Sequence, residues 1–222
     1  MMPLQLLPTP ILYLITSGET TPSTSKSSRE FASLLALVAA AISARIPLIQ
    51  IREKNLSART LYELTVRAAA LTRGSSTRLL LNDRADIARA TGADGVHLTT
   101  RSLAASVVRR AFGEDFLIGV STHSLEEARA ARDGGADFAV FGPVFETDSK
   151  RPYGPPLGLA RLSEVAKTLA PFPILALGGI TIENAQAALK AGARGVAAIR
   201  LFNDAHALPK IVSGLRAGEK DL

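Results

Sequence analysis

The sequence predicts an α/β fold, a single (β/α)8 TIM barrel over residues 1–222 with its core at about 11–202. Three observations predict it. Eight short runs of Leu and β-branched residues alternate with longer amphipathic stretches. A phrase in which a helix stops and a strand starts recurs as Thr91-Gly-Ala-Asp-Gly-Val and Ala191-Gly-Ala-Arg-Gly-Val, with Gly134-Gly-Ala-Asp-Phe-Ala as a looser copy. Nothing between the runs reads as an interdomain linker. An open doubly wound sheet accommodates the same alternation, but it rarely needs eight consecutive βα units, so the closed barrel is preferred.

The runs are Ile11–Thr16, Pro47–Glu53, Arg78–Asp83, Gly95–Thr100, Leu117–Thr122, Phe138–Phe145, Pro173–Gly179 and Gly195–Leu201. Their nearly continuous apolar character fits parallel strands covered by helices. Leu34, Leu35, Val38 and Ile42 mark one apolar helix face. Ser57 reads as the N-cap of a helix carrying Leu61, Leu64 and Ala68, and Ser124 with Glu127 reads as a capping box. Thr181 with Asn184 is a weaker version of the same signal. Gly134–Gly135 and Gly192 are expected to close helices. Two Ser-, Pro- or Gly-rich stretches, 17–28 and 150–158, read as rim loops, the first flexible and the second a lid.

Composition narrows the function classes. With 47% apolar and 21% charged residues the chain is a globular protein, and with no Cys it has neither disulfides nor thiolate metal sites. The net charge of +6 is scattered along the chain and only 5% of residues are aromatic, which argues against nucleic acid and for small anionic ligands. The apolar stretch Phe31–Ala44 is too short to span a bilayer, so no membrane association is expected. A cytoplasmic protein is expected.

In a β/α barrel the chemistry gathers where strands end. Polar residues collected there include Gln50, Arg52, Glu53, Lys54, Asn82, Asp83, His97, Ser121, His123, Thr147, Ser149, Lys150, Gly178, Gly179 and Arg200. Gly178-Gly179 ahead of a helix near Thr181 reads as a phosphate turn, with Arg200 adding charge to the same anion. Gln50, Arg52 and Lys54 share a strand face by its two-residue period and suggest a second anionic site. Salt bridges to Glu53 and Asp83 account for the same residues equally well.

Six phrases together resemble the thiamine phosphate synthases and their relatives, the TenI-type thiazole tautomerases. They are Gln50-Ile-Arg-Glu-Lys54, Asn82-Asp-Arg84, Asp94-Gly-Val-His-Leu98, Gly119-Val-Ser-Thr-His123, Phe141-Gly-Pro-Val-Phe-Glu-Thr-Asp-Ser-Lys150 and Ala176-Leu-Gly-Gly-Ile180. Synthases of this family join a pyrimidine diphosphate to a thiazole phosphate and release pyrophosphate with magnesium. The resemblance implies a pyrophosphate site on Arg52, Lys54, Asn82 and Lys150, with Ser121, Thr147 and Ser149 nearby, and a thiazole phosphate near Gly179. Where synthases carry an acidic pair after the fourth strand, this chain reads Thr99-Thr-Arg-Ser102. Magnesium prefers carboxylates and waters, so no metal and no cofactor are expected. The favoured expectation is a thiazole tautomerase with His123 shuttling the proton, because imidazole both accepts and donates near neutrality. A synthase with an altered metal site is the alternative, and a non-catalytic phosphate-binding or regulatory protein is a third. His97 and His206 read as structural and surface residues. The apolar segment Leu103–Val108 leaves room for a homodimer.

Overall fold

The structure is a computed structural model that describes residues 9–147 and 155–217. Its strands are β1 (Ile11–Ile15), β2 (Leu48–Ile51), β3 (Arg78–Asn82), β4 (Gly95–Leu98), β5 (Leu117–Thr122), β6 (Phe138–Phe141), β7 (Ile174–Leu177) and β8 (Gly195–Ala198). Each pairs in parallel with the next, and β8 returns to β1, so the sheet closes into a barrel with no free edge. The helices are α1 (Arg29–Ser43), α2 (Ala58–Thr72), α3 (Ala85–Thr91), α4 (Ala105–Phe112), α5 (Leu125–Asp133), α6 (Gly158–Leu169), α7 (Ile182–Lys190) and α8 (Leu208–Ala217). Strand and helix alternate throughout, which is the (β/α)8 fold read from the sequence. Among the described residues no helix is long and apolar enough to cross a membrane.

Alternation along each strand divides the apolar residues into two cores. Ile11, Tyr13, Ile15, Leu48, Leu80, Leu117, Phe138, Val140 and Leu175 fill the barrel interior. Leu12, Leu14, Ile49, Leu79, Leu81, Val96 and Ala176 face outward onto the helices. Helix α1 buries Phe31, Leu37, Val38 and Ala41, while Leu34, Leu35 and Ile42 sit half-buried at the margin, so its buried face is rotated from the one expected. Helix α2 buries Leu61, Leu64 and Ala68 as expected.

The caps test the local signals. Ser57 accepts from Thr60 N at 3.1 Å. Thr181 and Asn184 form a complete capping box, stronger than anticipated. Ser124 accepts from Glu127 N, but the Glu127 carboxylate bonds His123 N at 2.7 Å, one residue before the cap, so that box is displaced rather than closed. Gly135 and Gly192 take positive φ after α5 and α7, as a helix stop requires.

Seven of the eight strands end one to four residues earlier than expected, and β2 and β6 show why. Strand β2 stops at Ile51 because Arg52 N turns to the Thr16 hydroxyl, 2.9 Å away. Strand β6 stops at Phe141, ahead of Pro143, which has no N–H to give the ladder. Beyond it, Val144 N and Phe145 N still donate to Leu177 O and Gly178 O. At the opposite end of the barrel, Arg109 of α4 donates to Gly135 O, Gly113 O, Phe116 O and Asp137 Oδ2 at 2.7–3.0 Å.

Candidate active site

The parallel strands bring their C-terminal ends to one mouth, and the inward positions there are where the barrel's apolar filling gives way to polar groups. On β2 and β3, Gln50 donates through Nε2 to Asn82 Oδ1 at 3.1 Å. Gln50 is buried, so it does not reach into the mouth as expected. It orients Asn82 instead, whose Oδ1 is taken by this bond. On β4 and β5, His97 Nε2 lies 2.9 Å from Ser121 Oγ, which fixes the hydroxyl at the rim.

Below this pair the site has an aromatic floor. Tyr13 packs against His97 and edge-on against Phe138, with ring centroids 5.6 and 5.5 Å apart. Burial drives the His97 pKa down to about 3, so the ring is neutral at physiological pH. Burial also raises the Tyr13 hydroxyl well above its ordinary range. Tyr13 Oη and His97 Nδ1 have no hydrogen-bond partner, so His97 is only half satisfied as a structural residue. Gly119 makes the packing feasible, since a Cβ there would come 2.3 Å from Phe138 Cζ and 2.8 Å from His97 Nδ1.

At the rim, Arg52 is half-buried, and its guanidinium makes no ion pair among the described residues. Lys54 lies in the turn beyond β2 and is exposed, so the strand period does not carry it onto a common face with Gln50. Glu53 is buried and bonded to the loop after β1, so it does not bridge to Arg52. That loop, expected to be flexible, is thereby pinned. The sequence placed Glu53 on the rim as a salt-bridge partner; a carboxylate between two cations, near a Thr-rich loop, was the available signal for its other role. Arg200 donates to Thr147 Oγ1 at 2.9 Å and so ties the segment after β8 to the loop after β6. Ser149 and Lys150 lie outside the described residues.

Gly178 and Gly179 have positive φ, but the space a side chain would need belongs to the chain itself. A Cβ on Gly179 would lie 2.4 Å from Glu146 O, and one on Gly178 would lie 2.5 Å from Pro143 Cβ. The pair therefore lets the loop after β7 pack closely on the loop after β6. His123 is half-exposed, and its Nδ1 lies 3.1 Å from Glu127 Oε2 while its backbone N–H bonds the same oxygen. It is tied to the first turn of α5.

Magnesium, which the resemblance implies for a synthase, meets a sparse donor set. Among the described residues no three His, Asp or Glu side chains form a metal-holding group. Asp83 is an exposed carboxylate held in left-handed backbone (φ 63°), and Ser102 Oγ already accepts from Thr99 N at 2.8 Å. One carboxylate does not make a closed magnesium site, so the residues do not fit a metal held by the protein alone.

Comparison with known proteins decides the family. A family model described as thiamine monophosphate synthase matches residues 12–202. The chain belongs to that family. A thiamine-phosphate synthase of Roseiflexus sp. is 41% identical over 163 residues, covering 73% of this chain and 69% of the relative. One of Chlorobium luteolum is 38% identical over 95% of this chain and 96% of the relative. Among solved structures, thiamine phosphate pyrophosphorylase from Pyrococcus furiosus superposes with a TM-score of 0.79 and 31% identity, covering 96% of each chain. These relatives overturn the tautomerase expectation: they carry the name of the synthase, not of an isomerase. The tautomerase expectation leaned on His123, whose side chain lies against Glu127 in the structure.

Proposed function

We propose that this chain is a thiamine phosphate synthase, a transferase that joins a pyrimidine diphosphate to a thiazole phosphate and releases pyrophosphate. In that reaction a bond forms between the two heterocycles as the bond to the diphosphate breaks. The pyrophosphate leaves with the electron pair, and no side chain has to carry a proton from one substrate atom to another. The chain must supply cationic and hydrogen-bonding groups for a leaving group that gains charge.

The observation that carries this reading is the rim of β2 and β3. Arg52 is half-buried and its guanidinium has no ion pair among the described residues, beside an Asn82 amide that Gln50 turns donor-side out. A planar guanidinium with an adjacent amide donor suits a diphosphate. Ser121, fixed by His97, adds a hydroxyl on the neighbouring strands. Lys54, Ser149 and Lys150 follow the family phrases and are assigned to the same anion. The thiazole phosphate is assigned to the segments after β7 and β8, where Gly178, Gly179, Thr147 and Arg200 converge. Positioning both substrates in one mouth supplies the remaining acceleration.

The test is direct. Purified protein incubated with pyrimidine diphosphate, thiazole phosphate and magnesium should produce thiamine phosphate and pyrophosphate in equal amounts. Product no faster than in the protein-free mixture would rule the reading out.

A further inference from the structure

Arg52 and Glu53 are neighbours in sequence, and a cation beside a carboxylate ordinarily loses part of its pull on a third charge. Here the carboxylate is occupied elsewhere. Glu53 Oε1 accepts from the Thr16 hydroxyl at 2.5 Å and from Gly18 N at 3.2 Å. Its Oε2 accepts from the Thr20 hydroxyl at 2.7 Å and from Thr20 N at 3.3 Å. Glu53 is only 4% exposed, so a full set of donors is what makes its burial tolerable. All four donors come from the segment that follows β1, and none is charged.

The same segment covers Arg52. The Thr16 hydroxyl that donates to Glu53 also accepts from Arg52 N, so one side chain sets both the carboxylate and the arginine backbone. The chain then crosses the guanidinium at Gly18, which has φ +78°, and a Cβ there would come 3.0 Å from Arg52 Nη1. Asn55 Nδ2 donates to Thr20 O at 3.0 Å and holds the far end. A loop fixed at Thr16, Gly18 and Thr20 is a rigid cover over one cation.

We propose that Glu53 is a positioning residue: it clasps residues 16–20 over Arg52 and, by taking its hydrogen bonds from them, leaves the guanidinium for the diphosphate of the substrate. The inference rests on the synthase reading for the identity of the anion, while the clasp itself stands on geometry. Glu53→Gln keeps the shape but turns an N–H2 group toward one pair of donors, where the hydroxyl can rotate to accept but the backbone N–H cannot, so one contact becomes repulsive and the charge is lost. Thr20→Val removes one donor and keeps the carboxylate, which serves if Glu53→Gln does not fold. Thr20→Ser retains the hydroxyl.

The experiment pairs hydrogen exchange with pyrophosphate calorimetry on the full chain. In Glu53→Gln, amides in residues 17–24 are expected to exchange about tenfold faster or more, and pyrophosphate affinity is expected to fall about tenfold. In turnover, KM for the pyrimidine diphosphate should rise by the same factor, with kcat within about threefold. Thr20→Val should show the same pattern more weakly, and Thr20→Ser should match the parent. Faster exchange with unchanged pyrophosphate affinity, or a fall in kcat at constant KM, would overturn the positioning role. Unchanged exchange would overturn the clasp. A parent protein that binds pyrophosphate but makes no thiamine phosphate sinks the synthase reading alone, and a loss of affinity in Glu53→Gln would then still support the clasp.

Discussion

His97 and His123 stand on neighbouring elements at positions that alternate inward, yet they have become different kinds of residue. His97 ends up under the mouth, sealed by Tyr13 and Phe138, neutral and locked to Ser121. His123 lies just past the end of β5, half-exposed and paired with Glu127. Strand period gives the direction of a side chain, but depth along the strand decides whether it becomes floor or rim. Floor residues should therefore govern stability and rim residues binding.

The largest effect is expected at the rim. Arg52→Ala should lower kcat/KM for the pyrimidine diphosphate roughly 10²–10³-fold, the loss of charged hydrogen bonds to the leaving group. Its urea midpoint should stay near that of the parent, and a large drop in stability would blur the division. On the floor the converse holds. Gly119→Ala pushes a methyl group into Phe138 and His97, and equilibrium unfolding should show a loss of about 1–3 kcal/mol.

His97 also makes stability pH-dependent. Its native pKa of about 3 lies below the unfolded value near 6.5, so between those limits the unfolded chain binds the extra proton. The His97 contribution is complete above about pH 6.5 and is lost as the pH falls toward 3, at a slope near 1.4 kcal/mol per pH unit. From pH 6.5 to 5 this amounts to about 2 kcal/mol. Unfolding curves of the parent and of His97→Gln across that range should differ in slope, and parallel curves would show that the ring is not buried neutral. The smallest effect is expected at His123→Asn, which should keep kcat/KM within about threefold because the transfer asks no proton shuttle of it. A hundredfold loss would restore His123 to the chemistry.

The barrel was legible because each unit carries its own local signal. The apolar runs, the Ser57 and Thr181 caps and the left-handed Gly192 all lie within a few residues of what they determine. The site was legible as a set of residue types but not as roles. Gln50 looked like an anion donor and is a buried support for Asn82, because its partner sits 32 residues away on β3. Glu53 looked like an ion-pair partner for Arg52, but its donors lie 33–37 residues upstream, at the end of the first strand and in the loop after it that read as flexible. Gly179 looked like a glycine required by a phosphate turn, whereas the space its side chain would need is taken by Glu146 of another loop. In each case the role depends on which long-range contact wins, and no local pattern encodes that competition.

Arg109 carries one more consequence. Its planar fork reaches three carbonyls and a carboxylate from separate turns at the foot of β5 and β6. A lysine has a single nitrogen and could gauge the spacing of only one or two of them. The guanidinium acts as a rivet at the foot of the barrel, separated from the rim by the length of the strands. Mechanical integrity and chemical purpose are anchored at opposite ends of the molecule, and the rim has latitude to change its ligands while the foot keeps the barrel round.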